Sequence, residues 1–312
     1  MLVLSTRPTN DDVIMLKTLL AAVLMLCGSS AYAEMADHGS LLVDGQERHH
    51  YLFVPEGANA DTPLVIALHG MGGNASNLRH GIGLTEQMAT IGAAVVYPQG
   101  LRLPQGSRHW NAGFDFMPVD DLAYLTTLTR TLVDQHGLSE DVIFFGISMG
   151  GYMAYHMACR SGLSIRAIVV VAGTMPAGDI GDCEPAPQTS LLHIHGMRDP
   201  LIPFHGGGHW SDPDSHPVGV PEIVQSWADQ IGATPATRLV THPEVDEVHY
   251  VSRSTRSEVQ LLQLPNFGHD WPSKATLGYA AIEDVTAFIA RVANLGPPAP
   301  QTPPEIARLS SH

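Results

Sequence analysis

Cationic side chains are scarce in this chain. Lysine and arginine number 16 against 31 aspartate and glutamate, a net charge of −15 with histidine neutral. Nothing in the sequence supplies a basic face, which argues against nucleic acid and anionic membrane as partners. Long apolar runs are also missing. The most hydrophobic stretch, Thr18 to Cys27, is too short for a comfortable membrane span. Cysteines number three, and neither an internal repeat nor a second-domain linker is found. A metal pair is lacking too. His205 and His209 have helical spacing, but the three glycines between them rule against a helix, so the run reads as a flexible loop.

What is present suffices for a large core. The chain is 44% hydrophobic and 15% charged, which excludes a disordered polymer. Its first part reads as an export signal: Lys17, the short apolar stretch, and Ala31-Tyr32-Ala33 as a cleavage site, with the mature chain from Glu34. Met15 stands where such a signal would begin, so residues 1–14 read as a start-site artefact or an extended leader. The expected location is secreted or periplasmic. Cleavage removes Cys27 and leaves Cys159 and Cys183, an even count in an oxidising compartment, and the two are expected to pair.

Apolar strands alternating with helical segments predict an α/β fold, a mostly parallel sheet with helices on both faces. Residues 40–55 read as a hairpin turning at Asp44-Gly45. Strands are expected at Leu64–Leu68, Ala93–Pro98, Val142–Phe145, Arg166–Val171, Ser190–Gly196 and Glu258–Leu264. Helices are expected over 75–91, from a cap at Asp120 or Asp121 to about His136, over Gly151–Ala158, from Pro221 to Ile231, and over about 274–294. Residues 206–220 read as an irregular insertion. Residues 34–295 form the expected catalytic domain, and 296–312 a Pro-rich disordered tail.

One stretch organises the rest. Gly146-Ile147-Ser148-Met149-Gly150 follows a strand and opens a helix, the context of a nucleophile elbow. A serine hydroxyl needs a base, a group that orients the base, and donors for the oxyanion. Asp199 follows one strand and His269 the last one, in the order serine, acid, histidine. The oxyanion donors are expected from Met149, after the serine, and from Met71 in His69-Gly70-Met71-Gly72-Gly73. Trp110 and Trp271, in loops, and His195, on a strand, are candidate substrate-binding residues. Structural packing is the competing reading for each. No metal or organic cofactor is expected.

These residues, with Trp110-Asn111-Ala112-Gly113, His195-Gly196-Met197-Arg198-Asp199-Pro200 and Gly268-His269-Asp270-Trp271-Pro272, resemble the secreted polyhydroxybutyrate depolymerase and feruloyl esterase family from about residue 40 to 293. The resemblance implies an α/β-hydrolase fold, Ser148, Asp199 and His269 as the triad, and a Cys159–Cys183 disulfide. The chain departs from the family's pattern at Met149 and Met71, and has a short tail in place of a polymer-binding domain. The expected substrates are therefore soluble hydroxyalkanoate oligomers or aryl and feruloyl-type esters, cleaved through an acyl-enzyme. A serine peptidase of the same fold and a non-catalytic polymer-binding relative are the alternatives. The rate is expected to fall on acidification as His269 protonates.

Overall fold

The computed structural model describes residues 37–103, 106–113, 119–175, 180–207, 217–236 and 242–296. The expected leader, the tail from 297, and residues 208–216 of the expected insertion lie outside the described residues. In chain order the strands are β1 (Asp37–Val43), β2 (Gln46–Phe53), β3 (Leu64–Leu68), β4 (Ala94–Pro98), β5 (Leu101–Arg102), β6 (Arg108–His109), β7 (Val142–Ile147), β8 (Ile165–Val171), β9 (Ser190–Gly196), β10 (Thr234–Pro235), β11 (Asp246–Val251) and β12 (Glu258–Leu264). The helices are α1 (Ala75–Gly81), α2 (Leu84–Ile91), α3 (Asp121–His136), α4 (Met149–Arg160), α5 (Val220–Gln230), α6 (Lys274–Leu277) and α7 (Ala281–Val292).

Ten strands form one sheet in the order β1-β2-β4-β3-β7-β8-β9-β12-β11-β10. The centre, from β4 to β12, is parallel, and antiparallel strands extend both edges. All five residues of β3 are buried, as a parallel strand covered on both faces requires. Its side chains alternate between two cores. Leu64, Ile66 and Leu68 pack with α3, α4 and α5 through Leu125, Met153 and Trp227. Val65 and Ala67 pack with α1, α2 and α7 through Leu78, Met88 and Phe288. Among the described residues, no helix is long and apolar enough to cross a membrane.

Three expectations change. The helix expected over 75–91 is two, because Gly83 takes a left-handed φ of 71° between α1 and α2. The helix expected over 274–294 breaks the same way at Gly278, φ 71°, leaving α6 and α7. The last hairpin was hidden in the sequence: β11 (DEVHYV) runs antiparallel to β12, next to the short edge strand β10, and a partly exposed strand there needs no apolar run.

Cys159 at the end of α4 is bonded to Cys183 in the segment before β9. The bridge closes a loop with a sequence separation of 24 residues. Loop-closure entropy then gives about 3 kcal/mol at 25 °C. Replacing both cysteines by serine is expected to lower stability to denaturant by about that amount and to leave the turn at Ser148 unchanged, because the bridge lies at the far end of α4 from it. A stability change under about 0.5 kcal/mol by urea titration would contradict this.

Candidate active site

Ser148 stands between the end of β7 and the start of α4 with φ 55° and ψ −119°, a left-handed backbone that a non-glycine residue seldom adopts. Its N–H donates to the Val171 carbonyl at 2.8 Å, and its own carbonyl accepts from Gly151 N–H at 2.8 Å. The flanking glycines are there for space. A Cβ on Gly146 would run into the Gly150 carbonyl, and one on Gly150 into the Leu68 carbonyl. The turn is therefore tight enough to hold the hydroxyl at the strand's carboxyl end.

Three predicted residues meet there. Ser148 Oγ lies 3.0 Å from His269 Nε2, and His269 Nδ1 lies 2.6 Å from Asp199 Oδ2. A carboxylate only accepts, so the His269 proton sits on Nδ1 and leaves Nε2 free to accept the Ser148 O–H. The other oxygen, Asp199 Oδ1, accepts from the N–H groups of Leu201 and Ile202, each at 2.8 Å. Burial pushes the Asp199 carboxyl up. Hydrogen bonds from His195, His269 and the Ile202 N–H outweigh it and hold the group well below the usual carboxylate range. Asp199 thus stays an anion at any working pH. Such a chain can take the proton from a serine hydroxyl and return it to a leaving group.

Met149 follows Ser148 directly in the chain, and the loop that bears Met71 passes close to the serine. Gly70 packs against the serine: a Cβ placed on it would lie 3.4 Å from Ser148 Cβ. In the loop that follows, Gly72 N–H is taken by the Arg108 carbonyl and Gly73 N–H by the Gly70 carbonyl. Met71 N–H has no such partner among the described residues. Met149 is the first residue of α4, so its N–H has no acceptor within the helix.

His69, which the sequence marks only as the first residue of this loop, pins it. Its Nε2 accepts from Gly100 N–H at 3.1 Å, so the ring proton is on Nδ1 and donates to the Gly70 carbonyl at 2.8 Å. Burial above all pushes His69 down to about 4. The sign follows from linkage. The unfolded chain binds a proton near pH 6.5 that the folded ring refuses until about 4, so this stability is complete above 6.5 and lost as pH falls towards 4. The loss from His69 is on the order of 3 kcal/mol. Melting temperatures between pH 7 and pH 4 should fall, and His69→Gln should be less stable at pH 7 yet lose less on acidification. Equal pH dependence in both proteins would refute this assignment.

Two of the three candidate substrate contacts are corrected. Trp110 is fully buried, its indole N–H donating to the His69 carbonyl at 2.9 Å, so it supports the loop from behind. His195 is 1% exposed and sits behind Asp199, away from any substrate. Trp271 keeps partial exposure, packs edge-on against Phe145, and walls a cleft of about 680 Å³ with Ile82, Gln87, Pro272 and Glu283. Ser148, Asp199 and His269 do not line that cleft.

The Asp120/Asp121 ambiguity is also resolved. Asp120 caps α3, accepting from Ala123 N–H at 2.8 Å. Asp121 is buried and pairs with Arg48 at 2.6 Å, while its second oxygen accepts Asn111 N–H at 2.7 Å. Arg48 carries no sequence signal, because its partner lies 73 residues away.

A model of the phospholipase/carboxylesterase family matches residues 49–211, a little over half of the chain, including Ser148 and Asp199. The chain is 30% identical over 168 residues to feruloyl esterase C of Emericella nidulans, covering 51% of this chain and 58% of the relative. A probable feruloyl esterase C of Aspergillus oryzae is 31% identical over 169 residues, 52% of this chain and 58% of the relative. The chain thus spans little more than half the length of the curated relatives it matches. Among solved structures, an acetyl xylan esterase from Aspergillus awamori superposes with a TM-score of 0.56 at 14% identity, over 79% of this chain and 99% of that one. A putative dienelactone hydrolase from Klebsiella pneumoniae superposes at 0.53 with 16% identity, over 83% of this chain and 98% of that one. These likenesses are of fold, and they agree with the parallel sheet described above. The sequence match, which spans the strand–serine–helix turn at the centre of that sheet, establishes that the chain belongs to the phospholipase/carboxylesterase family of α/β-hydrolases.

Proposed function

We propose that this protein is a secreted serine carboxylic-ester hydrolase acting through an acyl-enzyme. The observation that carries the reading is the hydrogen-bonded chain from Ser148 Oγ through His269 to Asp199. Ser148 Oγ attacks the ester carbonyl carbon as His269 Nε2 takes its proton. The tetrahedral oxyanion is held by the N–H groups of Met71 and Met149. Collapse breaks the bond to the alcohol, which leaves with the proton from His269. Water then attacks the acyl-enzyme, His269 takes and returns a proton again, and the acid departs with Ser148 restored.

The substrates we propose are aryl or feruloyl-type esters, or soluble hydroxyalkanoate oligomers. The first class is supported by relatives named feruloyl esterase. An apolar acyl or aryl group is supported by Met71, Met197 and Leu201, exposed side chains on the loops that bear the oxyanion donor and the acid. Secretion is supported by the signal-like residues 1–33 and by the Cys159–Cys183 bridge, which persists in oxidising compartments. On this reading residues 34–295 are the catalytic unit.

The test is a panel. Mature protein from Glu34 is assayed on p-nitrophenyl acetate, butyrate and octanoate, methyl ferulate, 3-hydroxybutyrate oligomers and a peptide amide. Turnover of an ester, with covalent labelling of Ser148 by a fluorophosphonate, is expected, and the best substrate names the class. A protein inert on all esters but active on the amide would move the reading to a peptidase. One that is inert on everything and unlabelled would sink catalysis altogether.

A further inference from the structure

Strand β9 is apolar at Leu191, Leu192 and Ile194, yet it carries two histidines between and after them. His193 and His195 are two residues apart, so they face the same side of the sheet, and both are buried, at 0% and 1% exposure. Their rings stack with centroids 5.4 Å apart. Leucine would fill such positions without the cost of burying polar rings, so the pair calls for a polar task.

The nitrogens form one directed line. His195 Nε2 is 2.9 Å from the Ile202 carbonyl oxygen and 3.4 Å from Asp199 Oδ2. Both are acceptors, so a single ring proton on His195 must sit on Nε2, shared between them with the shorter leg to the carbonyl. His195 Nδ1 is then an acceptor, and His193 Nε2, 3.1 Å away, donates to it. His193 Nδ1 in turn accepts from the Tyr155 hydroxyl at 2.7 Å. Burial keeps His193 well below the usual histidine range and Tyr155 well above the usual phenol range, so these two links stay neutral. Tyr155 belongs to α4, the helix that Ser148 immediately precedes, so the line joins the serine's helix to the acid's turn.

We propose that Tyr155, His193 and His195 are positioning residues that hold the Asp199 turn, and with it His269, in the geometry that serves Ser148. The turn is gripped twice at Ile202: its N–H goes to Asp199 Oδ1 and its carbonyl receives the His195 N–H. The Asp199 carboxylate can then offer Oδ2 to His269 in one orientation only. His195 touches no substrate and acts through Asp199. The inference rests on the serine-esterase reading of this site. The titratable groups that face the line are Asp199 from the turn and, across α4, Tyr152, which senses the Asp199 charge; His269 lies on the far side of Asp199.

Two measurements test it. In wild-type protein, ring-nitrogen NMR at pH 8 should show Nε2–H with an unprotonated Nδ1 for both His193 and His195. A proton on Nδ1 of either ring overturns the proposal, and this reading needs no substrate and no variant. In kinetics on the best ester, His195→Phe is expected to lower kcat about 20-fold with KM within about twofold. The acid limb of kcat/KM should move up by about half a pH unit, because Asp199, relieved of a donor, binds the His269 imidazolium more tightly. His195→Gln retains an N–H and should restore kcat to within about threefold of wild type. Tyr155→Phe, which removes one oxygen, should move the acid limb in the same direction. If the limb stays fixed in all three variants and kcat merely follows melting temperature, the role is structural and the proposal fails. A wild type inert on every ester overturns the underlying reading and this one together, whereas a wrong tautomer or a fixed limb in an active enzyme overturns this one alone.

Discussion

Ser148→Ala is expected to lower kcat for an ester about a million-fold, with the melting temperature changed by no more than about 2 °C. The mutation removes the one atom placed 3.0 Å from the His269 base, and the alanine can keep the φ of 55° that the elbow imposes. His269→Ala should cost about as much, because without Nε2 the hydroxyl keeps its proton. The double variant should be no worse than either single one, since the two atoms act as one unit. Asp199→Asn should cost about ten-thousand-fold, by offering an N–H to His269 Nδ1 and turning the ring proton to the wrong nitrogen. Retention of a tenth of the wild-type rate by Ser148→Ala would remove that hydroxyl from the chemistry. Additive losses in the double variant would mean that Ser148 and His269 act separately.

Arg48→Ala or Asp121→Ala is expected to destabilise the fold by about 3–5 kcal/mol, a drop of roughly 10 °C in melting temperature. The pair is 3% and 2% exposed, and the Arg48 guanidinium also lies 3.8 Å from the centroid of the Tyr124 ring. Burial pushes the Asp121 carboxyl up, and the opposing effect of Arg48 does not cancel it. Desolvation therefore offsets much of the attraction, and the pair's net contribution is small. Breaking it is what costs, because the survivor is a buried charge without a counter-charge. Arg48→Met with Asp121→Leu should accordingly recover most of the loss, short of about 1–3 kcal/mol for the Asn111 N–H left without its acceptor. Thermal melts of the four proteins in a double-mutant cycle check this. Single variants within 1 kcal/mol of wild type would show that the site is hydrated or relaxes. The pair also bears on the site: it holds Asn111, next to the Trp110 that supports the His69 loop, so the Asp121 variant should slow turnover as well.

Much of the site was legible because its parts are short-range. Gly146-Ile147-Ser148-Met149-Gly150 announces itself, since the steric demands of the elbow are met by residues within two positions of the serine. Asp199 and His269 were found from their places after strands, because an open parallel sheet brings strand carboxyl ends together whatever the loops contain. The disulfide followed from counting cysteines. The leader and tail readings fall outside the described residues.

The remainder depended on packing between distant segments. Whether Trp110 and His195 face a substrate or the interior is a matter of which side of a loop is covered, and nothing near them in sequence records that. Arg48 acquires its meaning from Asp121, and Tyr155 from His193, only when a strand and a helix are laid together. The broken helices turn on glycines whose left-handed φ is chosen by the elements they join. By itself the sequence determined the parallel α/β sheet and the three residues at its strand ends, because apolar periodicity and turn sterics are local. Tertiary structure alone decided what supports those residues, because a buried polar group is specified by the partner that satisfies it, and that partner is set by the fold.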